Sequence, residues 1–115
     1  MAISEAFAGS ETVTATEWSL TTDTAGPDVE LSDGVFQCWV DLSALIAGDE
    51  YELRLYEKVA AADTQRILER WSIIGAQSRP NFSTPSFILM HGWDFTIRKV
   101  AGADRLITWS IRKVA

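Results

Sequence analysis

The chain has 115 residues, 47% of them hydrophobic, with a formal net charge of −6 and a single cysteine. That length suits one domain burying roughly two-thirds of its unfolded surface, and that apolar content excludes a disordered chain. One cysteine excludes an intramolecular disulfide and a CxxC metal site, and the apolar runs are far shorter than the ~20 residues a membrane-spanning helix needs.

Charge is unevenly distributed. Residues 1–50 hold ten Asp and Glu and no Lys or Arg, whereas residues 51–115 hold all ten Lys and Arg against six acids. The acidic half argues against a nucleic-acid partner. Two consequences stay open: surface-to-surface association of unlike halves, or a fold that interleaves them. The segment Met1–Glu5 lacks a positive charge followed by an apolar run, so cytoplasmic synthesis without a secretory signal is the expectation.

Along the chain, residues 1–33 are rich in Ser, Thr, Ala and acids. Thr12–Thr16 and Glu17–Thr21 read as short, polar, edge-like strands. Residues 1–20 read equally as an extended arm that orders against a neighbour. Ala25-Gly26-Pro27-Asp28 is a turn. Phe36, Cys38, Val40 and Leu42 alternate with Gln37, Trp39 and Asp41, which marks a half-buried strand with Trp39 on the polar face. A short helical turn at Ser43–Ile46 and an Ala47–Glu50 turn lead to a second alternating strand, Tyr51–Tyr56. These two strands read as an antiparallel pair.

Ala60–Asp63 is a turn. Residues 64–74 fit a strand or a helix, and the β-branched Ile73-Ile74 end favours the strand. Gln77–Pro85 is a loop. Ser86–Met90 is apolar on both faces, the pattern of a covered central strand or of one facing a partner subunit. Trp93–Val100 and Arg105–Arg112 alternate on either side of a Gly102–Asp104 turn, a strong hairpin signal. Ile-Arg-Lys-Val-Ala occurs twice, at 97–101 and 111–115. The whole predicts an all-β, two-sheet antiparallel sandwich of jelly-roll or Greek-key type with seven to nine short strands.

No catalytic machinery is legible. A Ser or Cys hydrolase needs a histidine base, and His91 is the only histidine. No GxSxG, HExxH or phosphate-cradling glycine loop is present. Glycoside hydrolysis needs two carboxyls about 5–9.5 Å apart in a cleft, and neither Glu52 with Glu57 nor Glu69 forms an evident pair. Asp23, Asp28, Asp33, Asp49 and Asp63 lie in predicted loops, where acids are ordinarily turn formers, and no EF-hand spacing occurs. Cys38 reads as a buried apolar thiol. No catalytic, cofactor or metal residue is therefore assigned. Trp39 and Tyr56, on polar registers of strands read as adjacent, could form a sugar-stacking platform or an interface.

The stretches Asp33–Leu42 and Ala47–Lys58, with His91-Gly92-Trp93-Asp94 and the ending Trp109–Lys113, resemble small virion structural proteins of tailed bacteriophages. The resemblance implies a capsid decoration (cement) protein, a viral protein often built as a trimeric sandwich. It implies the major capsid protein as partner, a homotrimer, and a place on the capsid surface of the virion after synthesis in the host cytoplasm. Neither nucleic acid nor membrane is an expected partner, and no enzymatic activity is expected. A phage tail, fibre or head-tail component and a carbohydrate-binding module are the rival readings. Trp18, Trp39, Tyr56, Phe87, Leu89, Arg98 and Arg112 are the expected oligomer or partner interface residues.

Overall fold

The computed structural model describes residues 2–114; Met1 of the N-terminal segment and Ala115 of the second Ile-Arg-Lys-Val-Ala copy lie outside them. Ten strands follow in chain order: β1 (Ile3–Val13), β2 (Trp18–Ser19), β3 (Thr24–Ala25), β4 (Gly34–Asp41), β5 (Glu50–Glu57), β6 (Arg66–Ile74), β7 (Asn81–Ser83), β8 (Phe87–Leu89), β9 (Asp94–Ala101) and β10 (Arg105–Val114). Every pairing between them is antiparallel.

The strands form two sheets. One has the order β1-β10-β4, with β7 and β8 sharing the far edge of β4; the other runs β3-β2-β9-β5-β6. Counting β2 with β3 and β7 with β8 as interrupted strands leaves eight lanes, four per sheet. Successive lanes then alternate between the sheets, except where β5 is followed by β6 and the first and last strands lie side by side. That is jelly-roll connectivity, the all-β sandwich expected from the alternation.

Alternation explains which face is buried. On β4 the side chains of Phe36, Cys38 and Val40 point inward, as do Tyr51, Leu53 and Leu55 on β5, Phe95 and Ile97 on β9, and Ile107, Trp109 and Ile111 on β10. Trp93 is fully buried at the centre of an aromatic cluster. Its ring centroid lies 4.3 Å from Phe36 and 6.0 Å from both Phe7 and Phe95. A fully buried ring such as Phe36 or Phe95 contributes about 1.5–3 kcal/mol by leaving water. The buried indole N–H groups are satisfied, Trp93 donating to the Ser32 carbonyl at 2.8 Å and Trp109 to that of Leu20 at 2.9 Å.

Four local expectations are corrected by the tertiary arrangement. Most of residues 1–20 is not an arm: Ile3–Val13 pairs along its length with β10 as an edge strand. Its unpaired backbone groups would otherwise need another partner. β4 and β5 do not pair, since each crosses to a different sheet. β9 and β10 likewise part at the Gly102 turn, so the two Ile-Arg-Lys-Val repeats stand on opposite sheets. Phe87–Leu89 is not a covered central strand but a short edge beside Gly34–Phe36, which leaves Ile88 81% exposed. Residues 66–74 are the strand favoured over the helix, and Ser43–Ile46 forms a hydrogen-bonded turn without helix.

Two glycines mark close approaches. A Cβ on Gly9 would sit 2.7 Å from the Trp109 ring, so the missing side chain is what admits that indole beneath β1. Gly102 has φ of +90°, and a Cβ there would lie 2.2 Å from Asp49 Oδ1.

Candidate interaction surfaces

Cys38 and His91 stand in different settings. Cys38 is fully buried, and burial first, with the nearby Asp94 charge second, pushes its thiol far above the usual range. It stays protonated and inert. His91 sits in the loop before β9, with its backbone N–H 3.3 Å from Glu57. Among the described residues no group of three or more His, Cys, Asp or Glu is arranged to hold a metal ion. Four of the loop aspartates have intramolecular work. Asp23 accepts the Trp18 indole N–H at 2.9 Å, Asp28 accepts the Thr22 hydroxyl at 2.7 Å, Asp63 accepts the Thr64 N–H at 2.8 Å, and Asp49 pairs with Arg105 at 2.8 Å.

The outer face of the β3-β2-β9-β5-β6 sheet carries a dense polar network. Glu52 binds Arg54, and also Arg98 at 3.3 Å; Arg54 reaches Glu17 at 3.2 Å. Burial alone would raise the Glu52 carboxyl, but the two guanidiniums hold it below its ordinary value. Tyr56 donates its hydroxyl to Glu17, and Thr96 does the same. Burial, then the Glu17 carboxylate, raise the Tyr56 phenol. Glu17–Arg54 and Asp49–Arg105 join the acidic half of the chain to the basic half, so folding interleaves the two.

Next to this network Asp94 is buried, with no cation on its carboxylate among the described residues. Its carboxylate accepts the Thr21 hydroxyl and the Asp28 N–H, each at 2.8 Å. Burial, opposed by these hydrogen bonds, lifts it to about 6. In the sequence Asp94 closes the His91-Gly92-Trp93-Asp94 motif and carries no assigned role. The signal available was its outward register beside Thr96 and Arg98.

The seven predicted interface residues separate. Leu89 is fully buried in the core and corrects the reading of it as a contact residue; its neighbour Ile88 faces outward instead. Tyr56, 8% exposed, and Arg98 are committed to the network. Trp18 packs half-buried on the core. Trp39 and Tyr56 lie on different sheets, so they form no common platform. Phe87 meets Trp71 edge-on at 6.1 Å, and Trp71 meets Phe82 at 6.3 Å. Trp39 and Arg112 do come together: the guanidinium lies 4.3 Å from the indole centroid, within cation–π range.

Two open surfaces among the described residues bear on function. The first is a side of the sandwich where β6 ends one sheet and β7 and β8 end the other. Trp71 bridges the two with Phe82 and Phe87. Ile67, Leu68 and Ile74 of β6, with Ile88 and Met90 by β8, are exposed; the register sets Ile67 and Ile74 beside Tyr56 and Glu50 on the outer face of one sheet, and Ile88 beside Val35 on the outer face of the other. Glu57, the partner of Arg66 on β6, accepts the Met90 N–H at 2.8 Å and ties the β8 end to that edge. The second is an open groove of about 500 Å³ on the outer face of the β1-β10-β4 sheet. Its lining includes Ser10, Trp39, Asp41, Asn81, Thr108 and Ser110.

No protein-family profile matches the sequence, and no curated protein matches it. Among solved structures, the chain is similar to the Yersinia pseudotuberculosis-derived mitogen. The TM-score is 0.52 at 10% identity, over 99% of this chain and 86% of that one. It is also similar to a protein of Bacillus endospore appendages, described as a family of disulfide-linked pili. There the TM-score is 0.50 at 15% identity, over 98% of this chain and 87% of the other. At these identities the likeness is one of fold alone.

Proposed function

We propose that this chain is a non-enzymatic structural protein of a bacteriophage virion, a capsid decoration protein that docks on the shell of the major capsid protein as a homotrimer. The observation that carries the reading is the two unpaired edge strands, β6 of one sheet and β8 of the other, each carrying exposed apolar side chains. A free edge displays unpaired backbone N–H and C=O groups and is a template for another chain. Here it also presents Ile67, Leu68, Ile74 and Ile88 to water. Arg66, Glu69 and Arg70 interrupt that apolar edge, which suits a specific partner better than indiscriminate aggregation.

A lattice of many identical sites supports such docking even when each contact is weak, because multivalency raises the effective concentration. The resemblance of Asp33–Leu42, Ala47–Lys58 and the His91–Asp94 motif to small phage virion proteins supports the same class. A disulfide-linked polymer, as in the Bacillus appendages, is disfavoured because the single thiol of Cys38 is buried.

The test is binding to preassembled shells of the phage that encodes the chain. The expected results are a solution mass near three times 12.7 kDa, saturation of shells in many copies, and loss of binding in Ile88→Lys and Leu68→Lys. A monomer that ignores shells would sink the reading. Few copies confined to the tail would replace it with the tail, fibre or head-tail role.

A further inference from the structure

The groove on the outer face of the β1-β10-β4 sheet is built from small residues set among polar and aromatic ones. The register places Ser110 opposite Trp39 and Thr108 opposite Asp41, with Asn81 on the far side of Asp41 and Ser10 on the far side of Thr108. Four strands thus line up one row, Ser10, Thr108, Asp41 and Asn81, beside a second row that ends in the Trp39 ring. Ala8 and Gly9 also line it, with Glu5 and Arg112 at one end. Short side chains at the centre of a sheet leave a hollow that longer ones would fill.

Its chemistry is specific. Trp39 is held in place from two directions: its indole N–H donates to Gln37 Oε1 at 3.1 Å, and Arg112 lies over the ring. It supplies a fixed apolar wall at little entropic cost on binding. Asp41 is a charged acceptor, its carboxyl kept below the ordinary value by hydrogen bonding from Ser43. Asn81 adds an amide donor and acceptor one strand away. Ser10 and Thr108 hydroxyls face each other at 2.9 Å, and Ser110 donates to Glu5 at 2.6 Å. A carboxylate, an amide and hydroxyls beside one aromatic ring match a ligand with vicinal hydroxyls on one edge and a C–H face on the other. The volume is within the ~300–1,000 Å³ typical of small-molecule sites.

Charge narrows the class further. Glu5 and Asp41 supply two negative charges, and the one cation, Arg112, is already engaged with Trp39 and, at 3.4 Å, with Ser110. An anionic ligand would be repelled. We infer that this groove is a carbohydrate-binding site for an uncharged hexopyranose or a short oligosaccharide of such units. It lies on a different surface from the β6 and β8 edge, so it stands or falls separately from shell docking.

The test is amide-resolved NMR titration of the full chain with cellobiose, maltose, lactose and N,N′-diacetylchitobiose, with glucuronic acid as the anionic control. The expected result is saturable shifts confined to the Trp39 indole, the Asn81 side chain and the Ser110 amide for at least one neutral sugar. Affinity should be on the order of millimolar, as for a small, shallow site. Asp41→Asn should weaken it by about tenfold or more, as for a hydrogen bond to a charged group, and Asn81→Ala by about two- to tenfold, as for a neutral one. Both positions are exposed on the sheet, and an unchanged amide spectrum elsewhere reports that each variant is folded. Absence of saturable shifts with all four neutral sugars overturns the inference. So does tighter binding of glucuronic acid, or binding unaffected in both variants. Asn81→Ala should leave shell binding intact, which separates this site from the docking edge.

Discussion

The carboxylate of Asp94 accepts the backbone N–H of Asp28 at 2.8 Å, holding the loop after β3 against the outer face of β9. The same carboxylate accepts the Thr21 hydroxyl. Asp94 is fully buried with no cation partner among the described residues, and Asp28 adds a like charge nearby.

A pH dependence follows. The Asp94 carboxyl is raised from 3.8 to about 6 by burial. The folded state therefore binds this proton more tightly than the unfolded chain. Stability from this group is greatest below pH 3.8 and declines as pH rises to about 6, by up to ~3 kcal/mol. In Asp94→Asn that decline should vanish. The amide can still accept from Asp28 while its NH₂ faces the rotatable Thr21 hydroxyl. Denaturant unfolding across this range checks it; an unchanged slope in the variant would falsify the assignment.

Asp49 should act in the opposite sense. It accepts from Arg105, then from the N–H groups of Ile46 and Ala103, and its carboxyl falls to about 2. Its contribution is complete above the unfolded value of 3.8 and is lost as pH falls through about 2. Asp49→Ala should lower the Tm at neutral pH and flatten the loss of stability below pH 4. An acid-unfolding profile identical to that of the parent chain counts against the pair.

Gly9→Ala should destabilise by about 1–3 kcal/mol, the usual effect of overpacking. The added Cβ meets the Trp109 ring at 2.7 Å, and that indole is fixed by its bond to Leu20. The denaturation midpoint should fall with the slope unchanged.

Neighbours on β8 should behave differently. Leu89→Ala empties a fully buried site and should lose about 2–5 kcal/mol. Ile88→Ala, at an 81% exposed position, should stay within about 0.5 kcal/mol. Parallel thermal and denaturant unfolding compares them. Equal losses would mean that the β8 register differs from Val35 opposite Ile88.

The all-β class and the inward faces are legible in the residues alone, because period-two alternation is a property of each strand taken singly. Phe36, Cys38 and Val40 are buried on β4 as their spacing predicts, and Ile107, Trp109 and Ile111 on β10. Alternation does not determine pairing. A turn between two alternating segments reads locally as a hairpin, yet at Gly102 and at Ala47–Glu50 the chain crosses between sheets. That choice depends on which apolar faces must meet across the core, a relation among residues far apart in sequence.

The surfaces were legible in the same partial way. Trp39 and Arg112 both read as contact residues in the sequence, but only the antiparallel register of β4 with β10 stacks one on the other. Asp41 and Asn81 carried no signal, since their proximity exists only once β7 pairs with β4. Leu89 and Ile88 are indistinguishable in an apolar run. The edge position of β8 decides that one fills the core and the other meets water.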